Sequence, residues 1–196
     1  EYAEDLFNEG YIKKLSNYYS RFINCILADP KVCLSEIEIL DQEELRQLEA
    51  WNDTKQKYPK NKCIHELFEE TAEKNKDRIA VVYEDRQLTY EILNQRANQL
   101  SHYLRKNKVV PETLVGISVS RSLDLIIGLL GILKSGGAYV PLDPEYPKDR
   151  LEYMLEDTGI KVLLITTKLK AQFKNYKGKL ICLDSDEYLD GPITNL

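Results

Sequence analysis

Histidine is scarce in this sequence and cysteine is scattered. The 196 residues hold two histidines and four cysteines, Cys25, Cys33, Cys63 and Cys182, with no C-x-x-C pair. That pattern offers no metal-ligand set, because zinc sites draw Cys and His into short, regular spacings. The even cysteine count would allow two disulfides. The acidic opening EYAEDL is no secretory signal, so reduced thiols in the cytosol are the expectation, and the sequon Asn52-Asp53-Thr54 is then chemically idle. Basic excess is missing as well: 27 Lys and Arg face 32 Asp and Glu, a net charge of −5, which argues against a nucleic-acid partner. No long hydrophobic run exists. The longest, LIIGLLGIL at 125–133, is far short of the roughly 20 residues of a membrane span. Three catalytic signatures are also absent: the phosphate loop G-x-x-x-x-G-K-[ST], the dinucleotide fingerprint G-x-G-x-x-G and the nucleophile elbow G-x-S-x-G.

What is present is an ordinary globular composition, 43% hydrophobic and 30% charged. The first sixty residues read as an arm and a linker. EYAEDLF suggests a short strand. YIKKLSNYYSRFINCIL sets Ile12, Leu15, Tyr19, Phe22, Ile23 and Ile26 on one helical stripe, stopped at Asp29-Pro30. In LSEIEIL, Ile37 and Ile39 alternate as in a short strand. Asp41 is placed to cap a helix over 42–50, with Glu44 reciprocating, before the lysine-rich turn formers of WNDTKQKYPKNK. Tyr2, Tyr11, Tyr18, Tyr19 and Tyr58 suit either an interdomain contact or the edge of a core.

Beyond residue 60 the rhythm becomes α/β. HELFEETAEK predicts a helix with Ile64, Leu67, Phe68 and Ala72 on one face. IAVVYEDRQLTY predicts a hairpin turning near Asp85-Arg86. Thr89 caps a helix on which Leu93, Ala97, Leu100 and Leu104 recur. Strands follow at 114–119, 138–142, 161–166 and 179–183. They alternate with a helix from Ser122 to about residue 135, a second opened by Pro147, and a weaker third at 168–175. That alternation implies right-handed crossovers and a parallel sheet covered on both faces.

Candidate chemistry thins out on inspection. Gly136-Gly137 closes a helix and opens a strand, the reverse of a phosphate loop, so the pair reads as a turn. His65-Glu66 would begin H-E-x-x-H, but position 69 is Glu. His102 sits among polar residues and is expected in solvent. Ser118, Ser120, Ser122 and Ser135 lack the elbow frame, and the carboxylates single out no acid–base pair.

Longer motifs are more telling. LTYEILNQRANQLSHYLR (88–105) resembles the first core motif of nonribosomal peptide synthetase adenylation domains. LKSGGAYVPLDPEYPKDRL (133–151) resembles their second, L-K-A-G-x-A-Y-V-P-L-D-P, with Ser135 in place of the usual alanine. HELFEETAEKNKDRIAVVYEDRQLTY resembles the opening of such a domain, and Lys108 stands where a glycine is common, so Asn107 or Lys108 must supply the turn. Upstream, EYAEDLFNEGYIKKLSNYYSRFINCILADP resembles the last strand and helix of a condensation domain. SEIEILDQEELRQLEAWNDT resembles the condensation–adenylation linker with its Trp-Asn-x-Thr ending.

The resemblance implies an α/β fold: a partial adenylate-forming-enzyme N-terminal core, mostly parallel sheet with flanking helices, preceded by a helical arm and linker. Its boundaries would be a condensation tail at 1–30, the linker at 31–60 and the start of an adenylation core at 61–196. The parent enzyme would activate an amino acid with ATP and Mg²⁺, release pyrophosphate, and load the phosphopantetheine thiol of a carrier domain. The family's phosphate loop, amino-acid pocket, ribose-binding aspartate, mobile lysine and condensation histidines map onto none of residues 1–196, so no catalytic, cofactor-binding or metal residue is assigned. The chain opens without Met and closes at PITNL, and is expected to be a piece of a longer protein, inactive by itself and binding no cofactor. Expected partners are the neighbouring condensation and carrier domains, and a small MbtH-like helper in some relatives. Uncovered sheet edges and apolar faces predict self-association. A cytoplasmic location is expected. Two rival readings are an interdomain scaffold and a piece of an acyl-CoA-type ligase, the latter disfavoured by the condensation-like start.

Overall fold

The computed structural model describes residues 2–196 and divides into two compact units, Glu1–Pro59 and Lys60–Leu196. The strand expected at EYAEDLF falls partly on Glu1, outside the described residues. From Tyr2 onward the segment is a turn instead, in which Leu6 and Phe7 both donate N–H to the Ala3 carbonyl (3.1 and 3.0 Å).

In the first unit, helix α1 (Glu9–Ala28) begins where the Asn8 side chain accepts from Tyr11 N at 2.7 Å, and ends at Asp29. Its half-buried side includes Ile12, Phe22, Ile23 and Ile26. Leu15 and Tyr19 of the expected stripe are exposed. Residues 34–40 form no strand: a 3₁₀ turn at Leu34–Glu36 runs into extended chain with no neighbouring strand to pair with, and the Leu40 carbonyl accepts from Arg21 Nη1 at 2.6 Å. Helix α2 (Gln42–Asn52) carries the reciprocal cap foreseen at its start. Asp41 accepts from Glu43 and Glu44 N–H (2.9 Å each), and Glu44 accepts from Asp41 N–H at 3.0 Å. Among the described residues of this unit none is fully buried.

The second unit opens with α3 (Ile64–Lys74), whose Ala72 is buried while Ile64 is 69% exposed and lies off the inner face. Strands β1 (Ile79–Tyr83) and β2 (Arg86–Thr89) pair antiparallel, turning through Glu84, at φ +51°. Thr89 caps α4 (Tyr90–Lys106), which buries Leu93, Ala97, Leu100 and Leu104 as expected. Each such leucine contributes on the order of 1.5–3 kcal/mol by leaving water. There follow β3 (Leu114–Ser118), α5 (Leu123–Lys134), β4 (Ala138–Pro141), α6 (Lys148–Thr158), β5 (Val162–Ile165) and β6 (Lys179–Cys182). The four strands are parallel in the order β4-β3-β5-β6.

Strand periodicity explains how one sheet serves two cores. On β5, Val162 and Leu164 join Leu123, Ile127 and Ile132 of α5, whereas Leu163 and Ile165 join Leu151 of α6 and Phe173. The helix expected at 168–175 is a 3₁₀ turn at Thr167–Leu169 followed by turns. Its start is tied down by Asp184, which accepts from Thr167 N (2.8 Å), and Leu169 and Phe173 reach the α6-side core without a helix between them.

Candidate functional site

In doubly wound sheets a ligand site forms outside the carboxyl ends of the strands, where the strand order reverses. Here that point lies between β3 and β5: the chain leaves β3 over α5 toward β4 on one side, and leaves β5 toward β6 on the other. Ser118, fully buried, ends β3 opposite Ile165; Thr166 follows Ile165. Their hydroxyl oxygens have no hydrogen-bond partner among the described residues. An unsatisfied buried hydroxyl costs about 1–3 kcal/mol, so this edge retains polar capacity for a partner, as do Asn94 Oδ1 and Asn98 Oδ1 on α4. Nearby charges are Asp124 at the start of α5, Arg86, Arg96 and Asp184. Burial pushes the Asp124 carboxyl up, and the two arginines pull it part of the way back. Burial also pushes the Tyr188 phenol up to about 12, with its hydroxyl donating to the Leu183 carbonyl at 3.2 Å.

The two long motifs meet elsewhere, on Asn195. Along α4, the polar stripe Asn94, Asn98 and His102 holds the irregular segment 193–195. Asn98 Nδ2 donates to the Ile193 carbonyl (2.6 Å), His102 Nε2 lies 2.9 Å from the Thr194 carbonyl, and Asn94 and Asn98 both donate to Asn195 Oδ1 (3.0 and 2.9 Å). Gln99 donates to the Leu189 carbonyl. Lys134, from the LKSGG motif, reaches the same Asn195 oxygen (3.3 Å) while ion-paired with Glu69 of α3. Its side chain is 1% exposed, and burial lowers the ammonium's pKa against the opposing pull of Glu69. His102, expected in solvent, is therefore half-buried against the 189–195 segment.

Gly136 and Gly137 do turn the chain. Gly136 takes φ +85°, and its N–H donates to Leu133 O while that of Gly137 donates to Ile132 O (3.0 Å each), closing α5. A Cβ on Gly137 would lie 3.1 Å from the Thr113 carbonyl, where the chain enters β4. Both N–H groups are already engaged, and the site is the negative end of a helix dipole, so the pair is unsuited to phosphate. The turn left to Asn107 or Lys108 falls on Lys108, at φ +66°. Ser135 donates to Ile132 O (2.7 Å), and Ser122 caps α5 by accepting from Leu125 N at 3.3 Å. His65 stands on α3, with Glu66 engaged in bonding Cys63 N–H at 2.5 Å. Tyr2, Tyr11, Tyr19 and Tyr58 are exposed, and Tyr18 donates to Glu44.

Among the described residues no three His, Cys, Asp or Glu side chains converge on a cation position. No described helix is long and apolar enough to cross a membrane, and all four cysteines are free. Sequence reasoning left Thr166 and Lys134 unmarked, and set Asp124 and Asp184 aside as surface charge. Strand-end position would have flagged Thr166. For Lys134 the signal was a lysine directly after an apolar helical run.

Residues 68–193 match the AMP-binding enzyme family. Over all 196 residues the chain is 44% identical to gramicidin S synthase 2 of Brevibacillus brevis, and over 97% of its length it is 43% identical to bacitracin synthase 1 of Bacillus licheniformis. It spans 4% of the length of each of these relatives. Among solved structures, the nonribosomal peptide synthetase FmoA3 in its α-methyl-L-serine-AMP-bound form superposes with a TM-score of 0.79 at 25% identity, covering 97% of this chain and 22% of that one.

Proposed function

Because the chain belongs to the AMP-binding enzyme family, we propose that it is the part of a nonribosomal peptide synthetase in which an amino-acid-activating domain begins. The parent enzyme joins an amino acid to AMP using ATP and Mg²⁺, then transfers the aminoacyl group to a carrier domain's phosphopantetheine thiol. Residues 1–30 are the tail of a condensation domain, 31–60 the linker, and 61–196 the opening of the adenylation core. The observation that carries this reading is the extent of the match. Identity to gramicidin S synthase 2 runs through the first sixty residues, ahead of the 68–193 segment shared with AMP-binding enzymes at large. A piece of an acyl-CoA-type ligase would have no reason to share that start. Substrate chemistry belongs to residues outside this stretch, so the chain alone activates nothing. Its partners are the adjoining condensation and carrier domains and, where the parent needs one, an MbtH-like helper, in the cytoplasm. Alone it self-associates through the outer edges of β4 and β6.

The test is amino-acid-dependent ATP–pyrophosphate exchange, run on this chain and on the same chain extended through a complete adenylation domain. Exchange in the extended form alone supports the reading, and the preferred amino acid names the substrate. Exchange in the short chain, or fatty-acid dependence in the long one, overturns it.

A scaffold role for residues 1–60 is the second reading, favoured by the polar framework that holds α2 to α1: Lys14 to Glu44 (3.2 Å), Tyr18 to Glu44, and Arg21 to the Leu40 carbonyl. Substitutions in Trp51-Asn52-Asp53-Thr54 that lower peptide output while leaving amino-acid activation intact support it.

A further inference from the structure

The connection from β5 to β6 carries a charge pattern that no catalytic reading uses. Residues 159–183 contain six lysines, Lys161, Lys168, Lys170, Lys174, Lys177 and Lys179, with no Asp, Glu or Arg, in a chain whose net charge is −5. All six are exposed. Lys179 is engaged, donating to Tyr103 Oη (3.1 Å) and Asn107 Oδ1 (2.7 Å). The other five form no ion pair among the described residues. Four of the six, Lys168, Lys170, Lys174 and Lys177, lie between β5 and β6, where like charges repel one another and the one carboxylate drawn in, Asp184, is engaged by Thr167.

The same connection forms one wall of a cleft of about 430 Å³ against α6, within the range of pockets that bury ligands (about 300–1,000 Å³). Leu151, Leu155, Ile160, Phe173 and Tyr176 line it. The wall is fixed in place: Tyr176 donates its hydroxyl to the Ile160 carbonyl (2.9 Å), and Gln172 Nε2 donates to the Pro144 carbonyl (3.0 Å). Lys177 lies at the cleft on the connection side, Glu152 and Glu156 on the α6 side.

We propose that this cleft is a docking surface for an acidic peptide segment of a partner protein, one that seats an apolar side chain in the cleft and lays its carboxylates on the lysine-bearing connection. Charge complementarity selects the sign, and the cleft's apolar lining requires an anchor. Glu152 and Glu156 disfavour a continuous polyanion, which would run against them. The absence of arginine removes the forked contacts and base stacking that nucleic-acid surfaces use.

The test uses fluorescence anisotropy on the whole chain at low and physiological salt. The probe is a labelled twelve-residue Glu/Asp peptide with a central Leu-Phe pair; its controls are the same peptide with Ser-Ser and a single-stranded oligonucleotide of equal charge. The expected result is binding that weakens as salt rises and drops about tenfold for the Ser-Ser peptide. It should drop by about tenfold again in the Lys168→Glu/Lys174→Glu/Lys177→Glu variant, whose exposed positions leave the melting curve unchanged. Leu155→Ala should reduce only the advantage of the anchored peptide. Equal binding of the two peptides, tighter binding of the oligonucleotide, indifference to the charge reversals, or no binding at millimolar peptide would each overturn the proposal.

Discussion

Residues 2–59 and 60–196 both contain well-formed, well-capped helices, yet they are held by different forces. In the second unit the helices α4 and α5 drive leucines and isoleucines into a dry core against a parallel sheet. In the first, no described side chain is fully buried. Its order rests on a reciprocal cap at Asp41–Glu44, on Tyr18 and Lys14 converging on Glu44, and on Arg21 reaching the Leu40 carbonyl. Amphipathic patterning alone therefore does not tell a core helix from a peripheral one. What separates them is whether a second apolar layer is available to receive the stripe.

The contrast breaks most visibly under truncation. Leu100→Ala should cost about 2–5 kcal/mol in denaturant unfolding of residues 60–196, since Leu100 is wholly buried in the main core and packs directly on Gly131 of α5. Leu15→Ala, at a position 52% exposed, should move stability by less than about 0.5 kcal/mol.

Extremes of pH should separate the units in opposite directions. The Tyr188 phenol is raised to about 12 in the folded chain, mainly by burial. Its stabilising contribution is complete below about 10 and is lost as pH rises through about 12, an effect of about 2–3 kcal/mol. Tyr188→Phe should reduce the alkaline loss in melting curves without abolishing it, because burial also pushes the Tyr176 phenol up to about 12. Conversely the Glu44 carboxyl is held down to about 2, first by the Tyr18 hydroxyl and then by the Asp41 N–H. That contribution is present above the ordinary carboxylate range and is lost as pH falls through about 2, so acid should loosen α2 ahead of the core. Glu44→Gln should remove the acid dependence.

Asp41→Ala sharpens the comparison from the cap side: loss of the side-chain acceptor should cost α2 about 1 kcal/mol, read as faster amide exchange at Glu43 and Glu44. One substitution should be a gain. Lys108 holds a left-handed conformation that glycine adopts freely, so Lys108→Gly should stabilise the α4 end by about 0.5–1 kcal/mol, seen as a rise in melting temperature.

Much of the fold was legible because it is written in apolar periodicity: the strand runs at Val115–Ile117 and Val162–Ile165, the α4 leucines, and the caps at Thr89, Ser122 and Asp41 all stand where the pattern placed them. Segments that take their conformation from tertiary partners were misread. Ile37 and Ile39 alternate like a strand but meet no neighbouring strand. Leu169, Phe173 and Tyr176 recur like a helix, yet a helix shorter than about 12 residues needs packing to persist, and here Thr167 is tied to Asp184 and Gln172 to Pro144. The site was less legible still. Asn94, Asn98 and His102 look like the solvent face of an amphipathic helix, and only the folded chain brings residues 189–195 over them. Lys134 looks like a helix-ending surface lysine until Glu69 of α3 comes into contact with it.

The most direct test is native-state hydrogen exchange resolved by segment, at neutral pH and again near pH 2, with each rate expressed as a protection factor against the intrinsic rate at that pH. Amides of β3, β5 and α4 should keep high protection factors at both, while those of α2 should have low protection factors at neutral pH and lower ones still in acid. Equal protection of α2 and the β3–β5 pair at neutral pH, with simultaneous loss in acid, would mean that one common core holds both units, and would contradict the division of forces described above.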